Sequence, residues 1–230
     1  MRWLHRHILY RPYSTEISHT LERLSKSLTK NKFKTEISVG KLSNGKHSEN
    51  EKKCAAAVLI PLCLTDGKLS LLYTVRSKNL SKHRGEVSFP GGNRDKNDAT
   101  LVYTALRETY EEIGIKEDRV KVIGQLNPLQ SMKGNYVMPF VGFINNFNFS
   151  DLKLNQSEVD QVFLRFVSDL SHKGIYGVTQ FRTFGDFILP VYRGEPKIWG
   201  LTAMMTHLTL SAMLTREEYP LRLKMLKFRS

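Results

Sequence analysis

Gly91 to Ile115 reads GGNRDKNDATLVYTALRETYEEIGI, and within it the run Arg107-Glu108-Thr109-Tyr110-Glu111-Glu112 sets three carboxylates close together. At 100° per residue on a helix, Glu108, Glu111 and Glu112 lie within about 100° of one another, while Val102, Ala105, Leu106 and Ile113 gather on another flank. One side packs and the other carries charge. Asp98 can accept from orphan N–H groups at the start and Gly114 supplies a left-handed stop, so the pattern predicts a helix over roughly 99–113. Three clustered glutamates repel by a few tenths of a kcal/mol per exposed pair, and helical spacing offers Arg107 only Glu111, one turn on, as a close partner. A hard divalent cation such as Mg²⁺ or Mn²⁺, which takes carboxylate oxygens and leaves positions for phosphate, would remove the conflict. On an arbitrary helix the same pattern is an ordinary solvated acidic face.

The surroundings decide between the two. The run resembles the Nudix box, G-x5-E-x7-R-E-U-x-E-E-x-G-U, with Arg107, Glu108, Glu111, Glu112, Gly114 and Ile115 in place and Thr109 a weaker fit at an apolar position. Gly92 stands fifteen residues before Arg107 rather than fourteen, and counting back from Arg107 the early acid is Ala99, with Asp98 beside it. Upstream, Leu71-Leu72-Tyr73-Thr74-Val75-Arg76-Ser77, then Arg84-Gly85 and Val87-Ser88-Phe89-Pro90-Gly91-Gly92, are similar to the second signature of the coenzyme A diphosphatase branch. The resemblance runs from about 55 to 214. Through VSFPGG, TALRET and Trp199-Gly200-Leu201-Thr202-Ala203 it is most similar to that branch's mitochondrial animal member.

The resemblance implies an α/β (α+β) Nudix fold, a mixed central sheet sandwiched between helices with a loop-helix-loop motif. It implies metal-dependent cleavage of the diphosphate of coenzyme A or acyl-CoA to 3′,5′-ADP and (acyl-)4′-phosphopantetheine. Glu108 and Glu112 would be the principal ligands of Mg²⁺ or Mn²⁺, with Glu111 completing the site or orienting water, and Arg107 would hold Glu111. Arg76, Arg84, Gly91 and Gly92 are expected at the substrate, and Glu158 as an extra base or ligand. Lys82, His83 and Arg94 also flank the glycines with positive charge. Two other readings stay open: a Nudix hydrolase for ADP-ribose, NADH or a capped RNA end, and a silent module whose basic tails dock RNA or anionic lipid.

Length and composition set the frame. The 230 residues, 40% of them hydrophobic, suit one domain at 54–215 plus extensions. Net charge is +13, yet residues 1–53 carry +7 and 216–230 carry +3, leaving only +3 for the domain. Basicity that lies mostly in the ends weakens the case for a nucleic-acid partner. Arg2, Arg6 and Arg11 precede the first acid, Glu16, among bulky apolar residues, so 1–30 reads as a mitochondrial transit peptide with a basic extension directed to the matrix. Leu21–Leu28 has amphipathic spacing, 31–53 is a polar linker, and 216–230 a basic tail.

Ala55–Leu64 and Leu69–Val75 read as strands joined by hairpin chemistry at Thr65-Asp66-Gly67-Lys68. Val120–Gln125, Val137–Ile144, Val159–Phe166 and Phe187–Tyr192 follow, with Pro139 suggesting an edge or irregularity. Leu201–Leu214 is spaced as a buried helix with methionine filler. Cys54 and Cys63 share one extended segment, too far apart to bridge, and fit reduced core thiols. No apolar run approaches the roughly 18 residues that a membrane span needs.

Overall fold

The apolar run after Cys54 and the run after Lys68 become the two long strands that organise the computed structural model. They are β1 (Cys54–Thr65) and β2 (Lys68–Arg76), paired antiparallel from Thr65–Lys68 up to Leu62–Leu71. Asp66 and Gly67, at φ 51° and 72°, supply the left-handed pair that a two-residue turn of this twist requires. The structure describes residues 14–29, 53–81, 83–131, 134–181 and 187–223.

Beyond Leu62 the hairpin opens, and the following chain fills the fork. β3 (Val87–Ser88) continues against β2, and β4 (Gly91–Asn93) takes its place against β1. Next come helix α2 (Leu101–Ile113), β5 (Lys121–Gln125), β6 (Leu129–Gln130), β7 (Tyr136–Ile144) and β8 (Val159–Phe166); α1 precedes them all, as described below. β7 lies parallel to β1, β5 and β6 pair with the far side of β7, and β8 with the outer side of β2, giving one mixed sheet of eight strands. Side chains alternate between its faces as a period of two demands. Ala57 and Leu59 pack with Ala105 and Leu106 of α2, while Ile60 and Leu62 join Leu71 and Tyr73 in the larger core on the other face.

Two helices cover that second face: α1 (Thr15–Thr29) and, after the short α3 (Val167–Ser171) and a separate hairpin of β9 (Tyr176–Phe181) and β10 (Phe187–Tyr192), α4 (Gly200–Met213). The sandwich expected from the resemblance is therefore present, and Leu201–Leu214 is the buried helix its spacing predicts. β9 and α3 were not among the expected elements.

Two expectations need correction, and a third resolves between its alternatives. Pro139 marks an irregularity rather than an edge, because β7 is interior. Its carbonyl accepts from Leu126 N–H, in the gap where the neighbouring strand passes from β5 to β6, so the absent N–H interrupts no continuous ladder. Packing also begins well before residue 54. α1 buries Ile17, Leu21, Leu24 and Leu28 in the main core, Arg23 reaches Glu218 at 3.0 Å and the Met213 carbonyl at 3.1 Å, and Leu28 lies where a Cβ on Gly124 would collide at 2.8 Å. At the other end Tyr219, within the expected tail, is buried and bonded to the Tyr192 hydroxyl (2.6 Å) and His207 Nδ1 (2.9 Å). The expected leader arginines, most of the linker and the last seven residues lie outside the described residues. Both cysteines are buried in β1, and neither forms a disulfide.

Candidate active site

The fork between β1 and β2 presents the glycine loop to α2. Pro90 O accepts from Leu59 N–H and Arg94 N–H donates to Ala55 O, both at 2.9 Å, which presses Gly91 onto β1. Gly91 has φ 148°, and a Cβ there would stand 2.4 Å from the Ala57 carbonyl oxygen, so only glycine fits. A Cβ on Gly92 would fall 2.5 to 2.6 Å from the carboxylate of Glu108. The glycines thus clear room for backbone to touch two carboxylates: Gly91 N–H donates to Glu112 Oε2 at 3.2 Å, and Gly92 lies against Glu108.

Helix α2 begins two residues later than expected. Thr100 is its N-cap, accepting from Tyr103 N–H, and Asp98 is used elsewhere. Gly114 ends the helix at φ 78° with its N–H on Tyr110 O, as anticipated. Thr109, the weak fit at an apolar position, is buried with its hydroxyl satisfied by Ala105 O at 2.6 Å.

Arg107 is the hub, and its principal partner is not Glu111. Its Nε and Nη2 make a two-pronged contact with Asp98 Oδ1 and Oδ2, both 2.9 Å, and Nη2 also reaches Asn93 O and Glu108 Oε1. The anticipated bond to Glu111 is present through Nη1 at 2.8 Å. Hydrogen bonds from Arg107 hold the buried Asp98 carboxyl well below the usual carboxylate range. Helical spacing could not reveal this pair, since the acid lies outside the helix. Counting forward from Gly92 could have, because Asp98 falls six residues on, where the box places its early acid, and the extra residue therefore lies between Asp98 and Arg107.

A family model described as the NUDIX domain matches residues 53–171. The chain belongs to the Nudix hydrolase family. A mitochondrial coenzyme A diphosphatase of Mus musculus is 38% identical over 192 residues, covering 75% of this chain and 91% of that protein. Nudix hydrolase 3 of Caenorhabditis elegans is 35% identical over 185 residues, covering 72% and 76%. A peroxisomal coenzyme A diphosphatase of Mus musculus is 35% identical over 170 residues, covering 71% of each chain.

On the Nudix helix the carboxylates differ sharply in environment. Glu111 is half exposed, whereas Glu112 is 2% exposed. Burial pushes the Glu112 carboxyl up to about 8; Gly91 N–H and the Arg76 guanidinium, 3.8 Å away, oppose the rise, and Glu108 and Glu158 add to it. Burial also raises Glu108, against the pull of Arg107, with Glu111 and Glu158 contributing. Glu158 enters from outside the Nudix helix, where its Oε1 accepts from Asn155 Nδ2 at 3.2 Å and Asn155 N–H donates to Glu112 O.

Nudix hydrolases generally use divalent metals. Among the described residues no three His, Cys, Asp or Glu side chains are gathered tightly enough to hold an ion as they stand. The donor set nonetheless suits one. Glu112 is buried with a single N–H donor and one guanidinium at 3.8 Å, and the charges of Glu108 and Glu158 add to the burial that raises its pKa, so a hard cation would offset both burial and repulsion. Arg76 stands beside Glu112. Arg84 does not join the cluster, lying on the exposed turn after β2 with its Nε on the Leu80 carbonyl. Arg94 is spent on the carbonyls of Asp98 and Ala99, and His83 pairs with Glu86 at 2.9 Å. Lys82 lies outside the described residues.

Proposed function

We propose that this Nudix hydrolase cleaves the diphosphate of coenzyme A and acyl-CoA, releasing 3′,5′-ADP and 4′-phosphopantetheine or its acyl form, in the mitochondrial matrix. The observation that carries the reading is the Gly91–Gly92 backbone laid against Glu112 and Glu108. The glycines that close the branch signature and the glutamates of the Nudix box, nearly twenty residues apart in sequence, meet in one site. The names of the mouse relatives, coenzyme A diphosphatases of two organelles, support the substrate class, and the mitochondrial one supports the compartment.

In this reading Glu108 and Glu112, with Glu111, hold Mg²⁺ or Mn²⁺. When bound, the ion supplies charge neutralisation for the diphosphate and Lewis acidity toward water. Water oxygen bonds to one phosphorus as the bridging P–O bond breaks, and the departing phosphate keeps the bridging oxygen. Glu111 or Glu158 takes the water's proton. Arg107, locked on Asp98, keeps Glu108 and Glu111 in place, while Arg76 and Arg84 meet phosphate oxygens with guanidinium forks.

Mass spectrometry of products from coenzyme A, acyl-CoA, ADP-ribose, NADH and capped RNA tests the proposal. Preferential release of 3′,5′-ADP from the CoA compounds in Mg²⁺ or Mn²⁺ is expected. Faster turnover of ADP-ribose or NADH would overturn the substrate, and no turnover of any would favour a silent binding module.

A further inference from the structure

The stretch Trp199-Gly200-Leu201-Thr202-Ala203 opens α4, and the proposed chemistry makes no use of it. α4 lies on the sheet face opposite the Nudix helix, yet its first two turns bear on the strand that delivers the glycines. The Thr202 hydroxyl donates to the Val87 carbonyl at 2.9 Å. One turn on, Thr206 meets the Tyr73 hydroxyl at 3.0 Å, and Tyr73 stacks on Phe89 with ring centroids 4.8 Å apart. Both contacts converge on Val87–Phe89, two residues before Gly91.

β2 holds the middle of that segment, where the Thr74 hydroxyl meets the Ser88 carbonyl at 3.2 Å and the Ser88 hydroxyl at 2.8 Å. β3 has only two residues, so its ladder with β2 is short. On the far side of the loop the Pro90 carbonyl is pinned to β1. Thr202 pins the near side. Further along α4, Thr206 and Thr209 return their hydroxyls to the Thr202 and Met205 carbonyls, the usual habit of a helical threonine. Thr202 sits in the first turn, where the residue four back, Ile198, precedes the helix, and its hydroxyl is directed across to Val87 instead.

We propose that Thr202 is a positioning residue of the active site: through the Val87 carbonyl it fixes the Val87–Gly92 segment so that Gly91 N–H meets Glu112 and Gly92 lies against Glu108. The proposal rests on the reading of those glutamates as the working carboxylates.

Thr202→Val keeps shape and β-branching and removes the hydroxyl; Thr202→Ser keeps the hydroxyl. Thr209→Val makes the same change two turns away and serves as the control. For each, kcat and KM for coenzyme A are measured in saturating Mg²⁺, with Tm and the ¹H–¹⁵N resonance of the Gly91 amide in metal-free protein. Thr202→Val should lower kcat about three- to tenfold, the rate equivalent of one net hydrogen bond, with KM nearly unchanged and the Gly91 amide shifted. Thr202→Ser should restore both, and Thr209→Val should leave both alone. An unmoved Gly91 amide with unchanged kcat in Thr202→Val overturns the proposal, and so does an equal loss of kcat in Thr209→Val. Should Thr202→Val not fold, Thr202→Ala against Thr202→Ser makes the same comparison. A wild type that leaves coenzyme A intact refutes the substrate alone, and the Gly91 amide then decides the role of Thr202.

Discussion

Glu112→Gln tests the site through stability and rate at once. Burial is the main reason that the Glu112 carboxyl titrates near 8 rather than at its ordinary 4.5. Because the folded pKa lies above the unfolded one, the metal-free folded protein binds this proton more tightly than the unfolded chain does. The stability it contributes is complete below about pH 4.5 and drains away as pH rises toward 8. At 1.36 kcal/mol per pKa unit, the loss between pH 5 and pH 8 is about 3 kcal/mol. Glutamine keeps an oxygen for Gly91 N–H and does not titrate. In urea titrations with EDTA, Glu112→Gln should therefore exceed wild type by about 4 kcal/mol at pH 8 and by under about 1 kcal/mol at pH 5. Mg²⁺ should stabilise wild type and leave the variant nearly unmoved. The same substitution should lower kcat by about 10² to 10⁴, the effect of removing one charge-stabilising group. A folded Glu112→Gln protein that keeps its kcat in saturating Mg²⁺, or stability curves that stay parallel from pH 5 to pH 8, would refute the assignment.

Asp98→Asn should destabilise by about 3 kcal/mol, because it removes the charge that the partly buried Arg107 faces; a Tm drop on the order of 10 °C is expected, and a drop within 2 °C would contradict the hub role. Arg84→Ala should chiefly raise KM for coenzyme A, with Tm unchanged since the side chain is exposed, and an unaltered KM would return Arg84 to surface charge. Removing residues 1–13 should abolish mitochondrial import in cells, and removing 1–29 should also collapse Tm, since α1 buries four apolar side chains worth up to about 1.5 to 3 kcal/mol each. Import of a chain without residues 1–13 would place the address elsewhere.

The sheet and the box helix were legible because each advertises its own period. β1 and β2 are apolar runs joined by a two-residue turn, and α2 carries separate packed and charged flanks with a glycine stop. α1 was less so, because only one stripe of it is apolar and its polar side reaches the far end of the chain through Arg23 and Glu218, a pairing that no local pattern reveals. Pro139 announced an edge or an irregularity without choosing between them, because strand rules describe one strand, while the proline's tolerance depends on where the neighbouring strand breaks. Among site residues, helical spacing gave the Arg107–Glu111 pair, but Asp98 approaches across a loop, and the burial that sets Glu112 apart from Glu111 comes from β4 folding over it.

The departure in box spacing is also accounted for by tertiary contacts. Aspartate is one methylene shorter than the glutamate of the pattern, so the loop must come closer to Arg107 for the two-pronged contact to form. Asn93 O accepts from Arg107, Asp98 Oδ2 accepts from Asp95 N–H at 2.9 Å, and Arg94 bridges the carbonyls of Asp98 and Ala99. Those bonds draw residues 93–99 inward, while the extra residue is absorbed after Asp98, where Thr100 replaces the acid as helix cap. Arg94, which its place beside the glycines suggested for phosphate, is thereby committed to holding the shortened acid in reach of Arg107. The geometry of Glu108 and Glu111 depends on Arg107 and hence on that loop, so Arg94 serves the carboxylates through Asp98 and Arg107 rather than by facing an anion.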